Sequence, residues 1–425
     1  MAWGARSGVD DLLQRLQQPA TGKNLCVLSF RKLSESDVQK LAGAIATNRI
    51  LEELYLSGHK LGESGTRAFA DALAANTTLK ISRSVAMRWG LARNAQSAVS
   101  VWDLEHKSIG VMGASAIGEL LATNSILKNL NLARNALGDD GIKRLAVDGL
   151  ARNERSALEM VSLMETGISG AALDHLAQLL EQTHCALQTL QLSFNDLSSA
   201  GTAFFAALTQ NKSIKSLYLK ETKLSDAHAL ALADALKTNT ALTDVDLSDN
   251  ALTSVAAVAL GEALKSNSTL QRLTLGGNKC GDAGAQAIGD ALRDGNTTLE
   301  FVDLANNELT HVGVGSLLTA KALKSLCVFN NKLADGLPHV LPALTANTAI
   351  ETLDVGANAL HGELSIQLFD QLHSHPSLVT LEMGGNSLGQ EGHDALERLR
   401  QVNTKLDVAV DKNAQDEDGS FDFEQ

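Results

Sequence analysis

The residues best able to do chemistry fall in a few short clusters, and each lacks part of a working set. Thr21 to Asn24 reads TGKN, the Gly-Lys of a phosphate loop. However, Gln17 stands where the earlier glycine belongs, and Asn24 replaces the Ser or Thr that would reach a magnesium ion. His373 and His375, in HSHP, form a close pair with no Cys or acidic partner at ligand spacing. They read as a polar helix end. The tail AQDEDGSFDFEQ places Asp416, Asp418, Gly419 and Phe421 where a calcium loop wants ligands, its tight-turn glycine and its apolar centre. Its first and last positions are Ala414 and Gln425, so the leading Asp and closing bidentate Glu are missing. HExxH, GxSxG and GxGxxG do not occur. The expectation is a protein without catalytic residues, bound metal or cofactor.

Those clusters sit on a chain of 425 residues with 44% apolar but only 4% aromatic residues and four prolines. Such a core must be built from Leu, Ala, Val and Ile in thin layers, which suits an array growing by addition. The net charge of -13 argues against a duplex nucleic-acid binder, whose affinity comes from Lys and Arg, and favours basic protein partners. Cys26, Cys185, Cys280 and Cys327 show no CxxC spacing, so free thiols are expected. No apolar leader or membrane-length run is present. A cytoplasmic or nuclear monomer away from membranes is the expectation.

Leucine and asparagine return on a fixed beat. The pattern L-x-x-L-x-L-x-x-N-x-L starts at Leu127 (LKNLNLARNAL), Leu242 (LTDVDLSDNAL) and Leu299 (LEFVDLANNEL), and most steps between starts are 27 to 29 residues. In each unit a short strand alternates its side chains, so Leu130 and Leu132 should face the core while Asn129 and Asn131 face out. A helix follows, as in DAHALALADALKTN, where Leu232 and Leu236 are one turn apart. Asn135, Asn195, Asn250, Asn278, Asn307, Asn331, Asn358 and Asn386 form one ladder after the strands, suited to satisfying turn backbone. A second ladder precedes the strands, including Asn48, Asn124, Asn239 and Asn347; there a left-handed asparagine should end each helix. In LGDDG and CGDAG the aspartates should cap the following helix.

Strands pack about 4.8 Å apart but helices are about 10 Å thick, so the stack must bend. The expected fold is an α/β leucine-rich repeat solenoid, a horseshoe with parallel strands on the concave face and helices on the convex face. Residues 1–24 should form a capping helix and 25–410 about 13 repeats plus a closing strand; 411–425 should form an acidic, solvated tail. The repeats resemble the ribonuclease-inhibitor-like class, which includes ribonuclease inhibitors, Ran GTPase-activating proteins and the sensor arrays of NOD-like receptors. The low cysteine count departs from ribonuclease inhibitors, and no nucleotide-binding module accompanies the array.

With core and helices committed to structure, function should lie on the outward strand residues. The middle outward column runs from Ser29, Tyr55 and Asp103 through Asn131, Ser162, Gln191, Tyr218, Asp246, Thr274, Asp303, Cys327 and Asp354 to Glu382, with Trp102 anchoring the third unit. Both tyrosines of the chain fall in it, and Tyr is a preferred interface anchor. Asp246, Asp303, Asp354 and Glu382, with Asp244 and Asp249 beside them, make a carboxylate stripe that could steer a basic partner. Equally, the stripe could be a solvated face. Met160, Met164 and Phe194 add apolar contact residues. The leading reading is a non-catalytic scaffold that holds a protein on this face. The resemblance to Ran GTPase-activating proteins implies an alternative, regulation of a small GTPase through Asn131 and Arg134.

One segment breaks the beat. Leu79 to Leu127 spans 48 residues, and removing 80–99 restores the register as LSVWDLEHKSIG. The insertion carries Lys80, Arg83, Arg88 and Arg93 and no acid. A surface loop, a translated in-frame intron and a basic recognition loop around Trp89 are all open readings.

Overall fold

The structure, a computed structural model, describes residues 9–18, 24–26, 33–51, 53–55, 68, 72 and 100–410, with backbone alone at 24–26 and 53–55. The 80–99 insertion, Ser29, the Tyr55 side chain and the 411–425 tail lie outside the described residues. The chain divides into two compact units, Met1–Ser162 and Leu163–Gln425.

In the first unit the helix Asp10–Leu16 buries Leu12 and Leu16 with Val38, Leu41 and Ile45 of the helix Glu35–Thr47. Strands β1 (Asn24–Cys26) and β2 (Glu53–Tyr55) pair in parallel, with Cys26 opposite Tyr55. Strands β3 (Val101–Asp103), β4 (Asn129–Asn131) and β5 (Met160–Ser162) follow in parallel order. Trp102 takes the usual leucine position and is 2% exposed.

The second unit carries β6 (Thr189–Gln191), β7 (Ser216–Tyr218), β8 (Asp244–Asp246), β9 (Arg272–Thr274), β10 (Phe301–Asp303), β11 (Ser325–Cys327), β12 (Thr352–Asp354), β13 (Thr380–Glu382) and β14 (Asp407–Ala409). Each pairs in parallel with the next, in unbroken register. The central residue of every strand, such as Val245, Leu273 or Val302, is fully buried, and its neighbours face outward. Burying such a side chain stabilises the fold by roughly 1.5–3 kcal/mol. A three-residue strand thus suffices, because each repeat borrows the core of the next.

The first asparagine ladder acts between repeats. Asn278 Nδ2 donates to Leu247 O of the preceding repeat and to Leu275 O and Gly276 O of its own, while Oδ1 accepts from Leu252 N. Thr166 and Thr222 take the equivalent place in repeats lacking the asparagine, each donating its hydroxyl to the carbonyl three residues back. The residue before the ladder position is left-handed in many repeats, as at Arg134, Phe194, Asp249 and Asn306.

Three expectations need correction. The second-ladder asparagines are not left-handed: Asn48 and Asn347 are extended, with φ of -69° and -75°. They act through side chains, Asn347 Nδ2 donating to Leu318 O and Oδ1 accepting from Ala349 N and Ile350 N. Nor does Asp282 of CGDAG cap its own helix. Asp282 instead accepts from Thr310 N, Thr310 Oγ1 and Gly313 N at the next helix start, and Asp226 does the same for Thr253. Finally, Asn131 is only 4% exposed, for reasons given below.

His375 fills the second ladder where asparagine is missing. Nε2 lies 3.0 Å from Leu344 O, and Nδ1 accepts from Leu378 N at 3.0 Å, the same three-way join that Asn347 makes. His375→Asn should leave stability within about 1 kcal/mol of the parent, whereas His375→Ala should cost about 2 kcal/mol by stranding buried backbone groups. Urea unfolding of the two variants checks this.

Candidate functional site

Strand pairing brings the expected column together. Asp246 stands opposite Thr274, Thr274 opposite Asp303, Asp303 opposite Cys327, Cys327 opposite Asp354, and Asp354 opposite Glu382. At about 4.8 Å per strand, Asp246, Asp303 and Asp354 recur about every 10 Å. Glu382 adds a fourth carboxylate beside the last.

The carboxylates also close the turns that end their strands, which the alternation of side chains does not reveal. Asp246 Oδ1 accepts from Ser248 N at 2.8 Å, Asp303 Oδ1 from Ala305 N at 2.8 Å and Asp354 Oδ1 from Gly356 N at 2.8 Å. Gln191 Oε1 and Asn131 Oδ1 do the same for Ser193 N and Ala133 N. One oxygen of each aspartate is thus structural.

Burial raises the pKa of Asp246 above the ordinary carboxylate range, against the opposing Ser248 hydrogen bonds. Asp303 is raised by burial first and by the charges of Asp246 and Asp354, against the Ala305 N–H and the Cys327 thiol. Between them the Cys327 thiol donates to Asp354 Oδ2 at 3.3 Å. Burial and the two flanking aspartates push it well above the ordinary thiol range, so it stays protonated.

A raised carboxylate binds protons more tightly folded than unfolded, so its contribution to stability falls as pH rises from the unfolded value to the folded one. Asp303→Asn keeps the acceptor for Ala305 N and removes the charge. It should therefore be more stable than the parent at pH 7, with the gain disappearing once pH drops below the unfolded carboxylate range. Chemical denaturation across pH checks the sign.

One cross-strand group was not foreseen. Tyr218 donates its hydroxyl to Asp244 Oδ2 at 3.3 Å, Arg272 Nε lies 3.7 Å from the same oxygen, and the Arg272 guanidinium stacks 3.7 Å from the centroid of the Phe301 ring. Burial and the Asp244 charge raise the Tyr218 hydroxyl to about 12, so it remains a donor. Burial also raises Asp244, against the attraction of Arg272. Arg272 and Phe301 occupy the first outward position of their strands. Following that second column along the sequence would have found them.

The other expected residues are separate. Phe194 is 41% exposed, with Lys220 Nζ 6.0 Å from its ring and Asp249 3.5 Å from Lys220. Met164 is half-buried in the second unit, and Met160 is half-buried on β5 of the first. Asn131 donates to Asp103 Oδ1 at 3.0 Å and to Glu105 Oε2 at 3.3 Å, which buries it and leaves it little to offer a partner. Arg134 is paired with Glu105 at 3.2 Å. An arginine offered to a nucleotide's phosphates would have to give up that contact. Among the described residues, no group of three or more His, Cys, Asp or Glu is placed to hold a metal ion, and no helix is long and apolar enough to cross a membrane.

A sequence model of the family described as Leucine Rich repeat matches residues 123–146, 238–261, 266–289 and 295–318. Each match begins near the close of one helix and ends within or at the end of the next, enclosing a strand and the asparagine turn. The chain is a leucine-rich repeat protein.

Relatives of this repeat protein align over part of their length. NACHT, LRR and PYD domains-containing protein 3 of Macaca mulatta is 27% identical over 199 residues, covering 45% of this chain and 17% of that protein. The protein phosphatase 1 regulatory subunit 37 homolog of Caenorhabditis elegans is 37% identical over 73 residues, covering 16% of this chain and 8% of that one. A chain from the octameric complex of Latrophilin 3, Unc5D and FLRT2 (LRR) is 18% identical with a TM-score of 0.45, over 73% of this chain and 90% of that one. The leucine-rich repeat chain thus covers under a fifth of these two curated relatives.

Proposed function

We propose that this leucine-rich repeat protein is a non-catalytic interaction scaffold that seats a basic protein partner on the strand face of its second unit. The observation that carries this reading is the in-register column Asp246, Asp303, Asp354 and Glu382. Burial and mutual repulsion raise Asp303, so this acid costs stability in the free protein. Cationic groups placed opposite would relieve that cost, which makes the column a seat for charge of the other sign. The matching regulatory-subunit relative is named for a role exercised through another protein, which agrees with a scaffold.

The test uses asparagine, because lysine at these positions would also remove the turn acceptors. Affinity purification with the parent should recover partners that the triple variant Asp246→Asn, Asp303→Asn, Asp354→Asn recovers poorly. With the principal recovered protein, the triple variant should bind about tenfold more weakly and with a shallower salt dependence. Equal affinity and equal salt dependence would sink the acidic-face reading.

A further inference from the structure

Arg272 is the one basic residue among the outward strand positions of β6 to β14. It lies in β9, between the strands of Asp246 and Asp303. The stack on Phe301 fixes the plane of its guanidinium, and the side chain remains 50% exposed. Its contact with Asp244 is long, 3.7 Å, and runs through Nε. Were Arg272 present only to offset Asp244, the paired geometry through two nitrogens would be the stronger arrangement. Instead both terminal nitrogens have no hydrogen-bond partner among the described residues, and the planar fork is held ready while acids surround it.

We infer that Arg272 sets the register of the partner by taking one of its carboxylates. This rests on the strand face being the seat of a basic protein partner, and it narrows that partner's chemistry. The segment lying across Asp246, Asp303 and Asp354 must carry an acidic side chain where it passes β9. Arg272 lies two residues before Thr274, so that carboxylate stands about 7 Å to one side of the line of basic groups. A phosphate group suits the place poorly. Its second negative charge would meet Asp244, Asp246 and Asp303, whereas a single carboxylate flanked by cations would not. A partner with basic groups alone would place a cation against Arg272, which discriminates by repulsion.

The experiment uses the full chain and a set of synthetic lysine–glycine peptides. In each, one glycine is replaced in turn by glutamate or by glutamine, and affinity is read by fluorescence anisotropy. For the parent protein, glutamate should bind about fivefold more tightly than glutamine at one or more positions, the size expected of an exposed ion pair made through a planar fork. With Arg272→Gln, glutamate should be the weaker at every position. Phe301→Leu, which keeps the charge but removes the stack, should retain only part of the gain. If glutamate is weaker than glutamine at every position on the parent while lysine peptides still bind, Arg272 serves only Asp244 and the inference falls alone. If lysine peptides bind no better than a neutral glycine–serine peptide, the basic-partner reading falls and the inference falls with it.

Discussion

Asn307→Ala should lower the stability of the second unit by about 3 kcal/mol, since a buried N–H left without its partner costs about 1–3 kcal/mol and two buried carbonyls each lose one donor. Asn307 is 0% exposed. Its amide donates to Leu275 O of the previous repeat and to Ala305 O of its own, both at 2.8 Å, and its Oδ1 accepts from Cys280 N at 3.0 Å. Alanine strands Cys280 N and takes one donor from each carbonyl, Leu275 O keeping Asn278 Nδ2 and Ala305 O keeping Gly277 N. Asn386 has the same role with bonds to Val355 O and Met383 O, but it is only half-buried. There water can replace part of what is lost, so Asn386→Ala should cost about 1–2 kcal/mol. Urea midpoints and amide exchange at the adjoining repeats measure both. Equal losses would mean that the ladder is not held by buried bonds.

Gly170→Ala should be at least as damaging, about 3 kcal/mol or more, for a reason no hydrophobicity scale contains. A Cβ at Gly170 would lie 2.1 Å from Ala200 N and 2.4 Å from both Ala200 Cα and Ser199 C. These are backbone atoms of the next repeat, so they yield only if the repeats part. The Ser199 hydroxyl that accepts from Gly170 N at 3.2 Å would be displaced as well. Gly201 is the control, because a Cβ there meets nothing within 4 Å. Gly201→Ala should be neutral or slightly stabilising through reduced chain entropy. Thermal unfolding should rank the two variants far apart, and similar melting temperatures would refute the close-approach argument.

The strand face carries a balance between stability and binding. Asp303→Asn is expected to stabilise the free protein at neutral pH, and the same substitution within the triple variant is expected to weaken partner capture. Both follow from one cause: the burial and like charges that raise Asp303 in the free protein are the conditions that an opposing cation relieves.

Repeat length, the position of each strand from β3 onward, the identity of the core leucines and the carboxylate column from Asp246 to Glu382 are legible in the sequence. These follow from alternation along a strand and periodicity along a helix, which are local properties of consecutive residues. The sequence also marks His375 as a polar helix end.

What those side chains do follows from the packing of one repeat on the next. Asn131 was expected on the surface, and Asp103 and Glu105 bury it by hydrogen bonding. Asp282 is expected from CGDAG to cap its own helix, and it caps the next one. Arg272 acquires its role from Asp244 on one neighbouring strand and Phe301 on the other. In every such case the partner lies about one repeat away along the chain but one strand or helix away in space. Periodicity fixes the direction in which a side chain leaves the backbone. Which atom it meets depends on how adjacent repeats settle against each other, and that is a property of the packed stack.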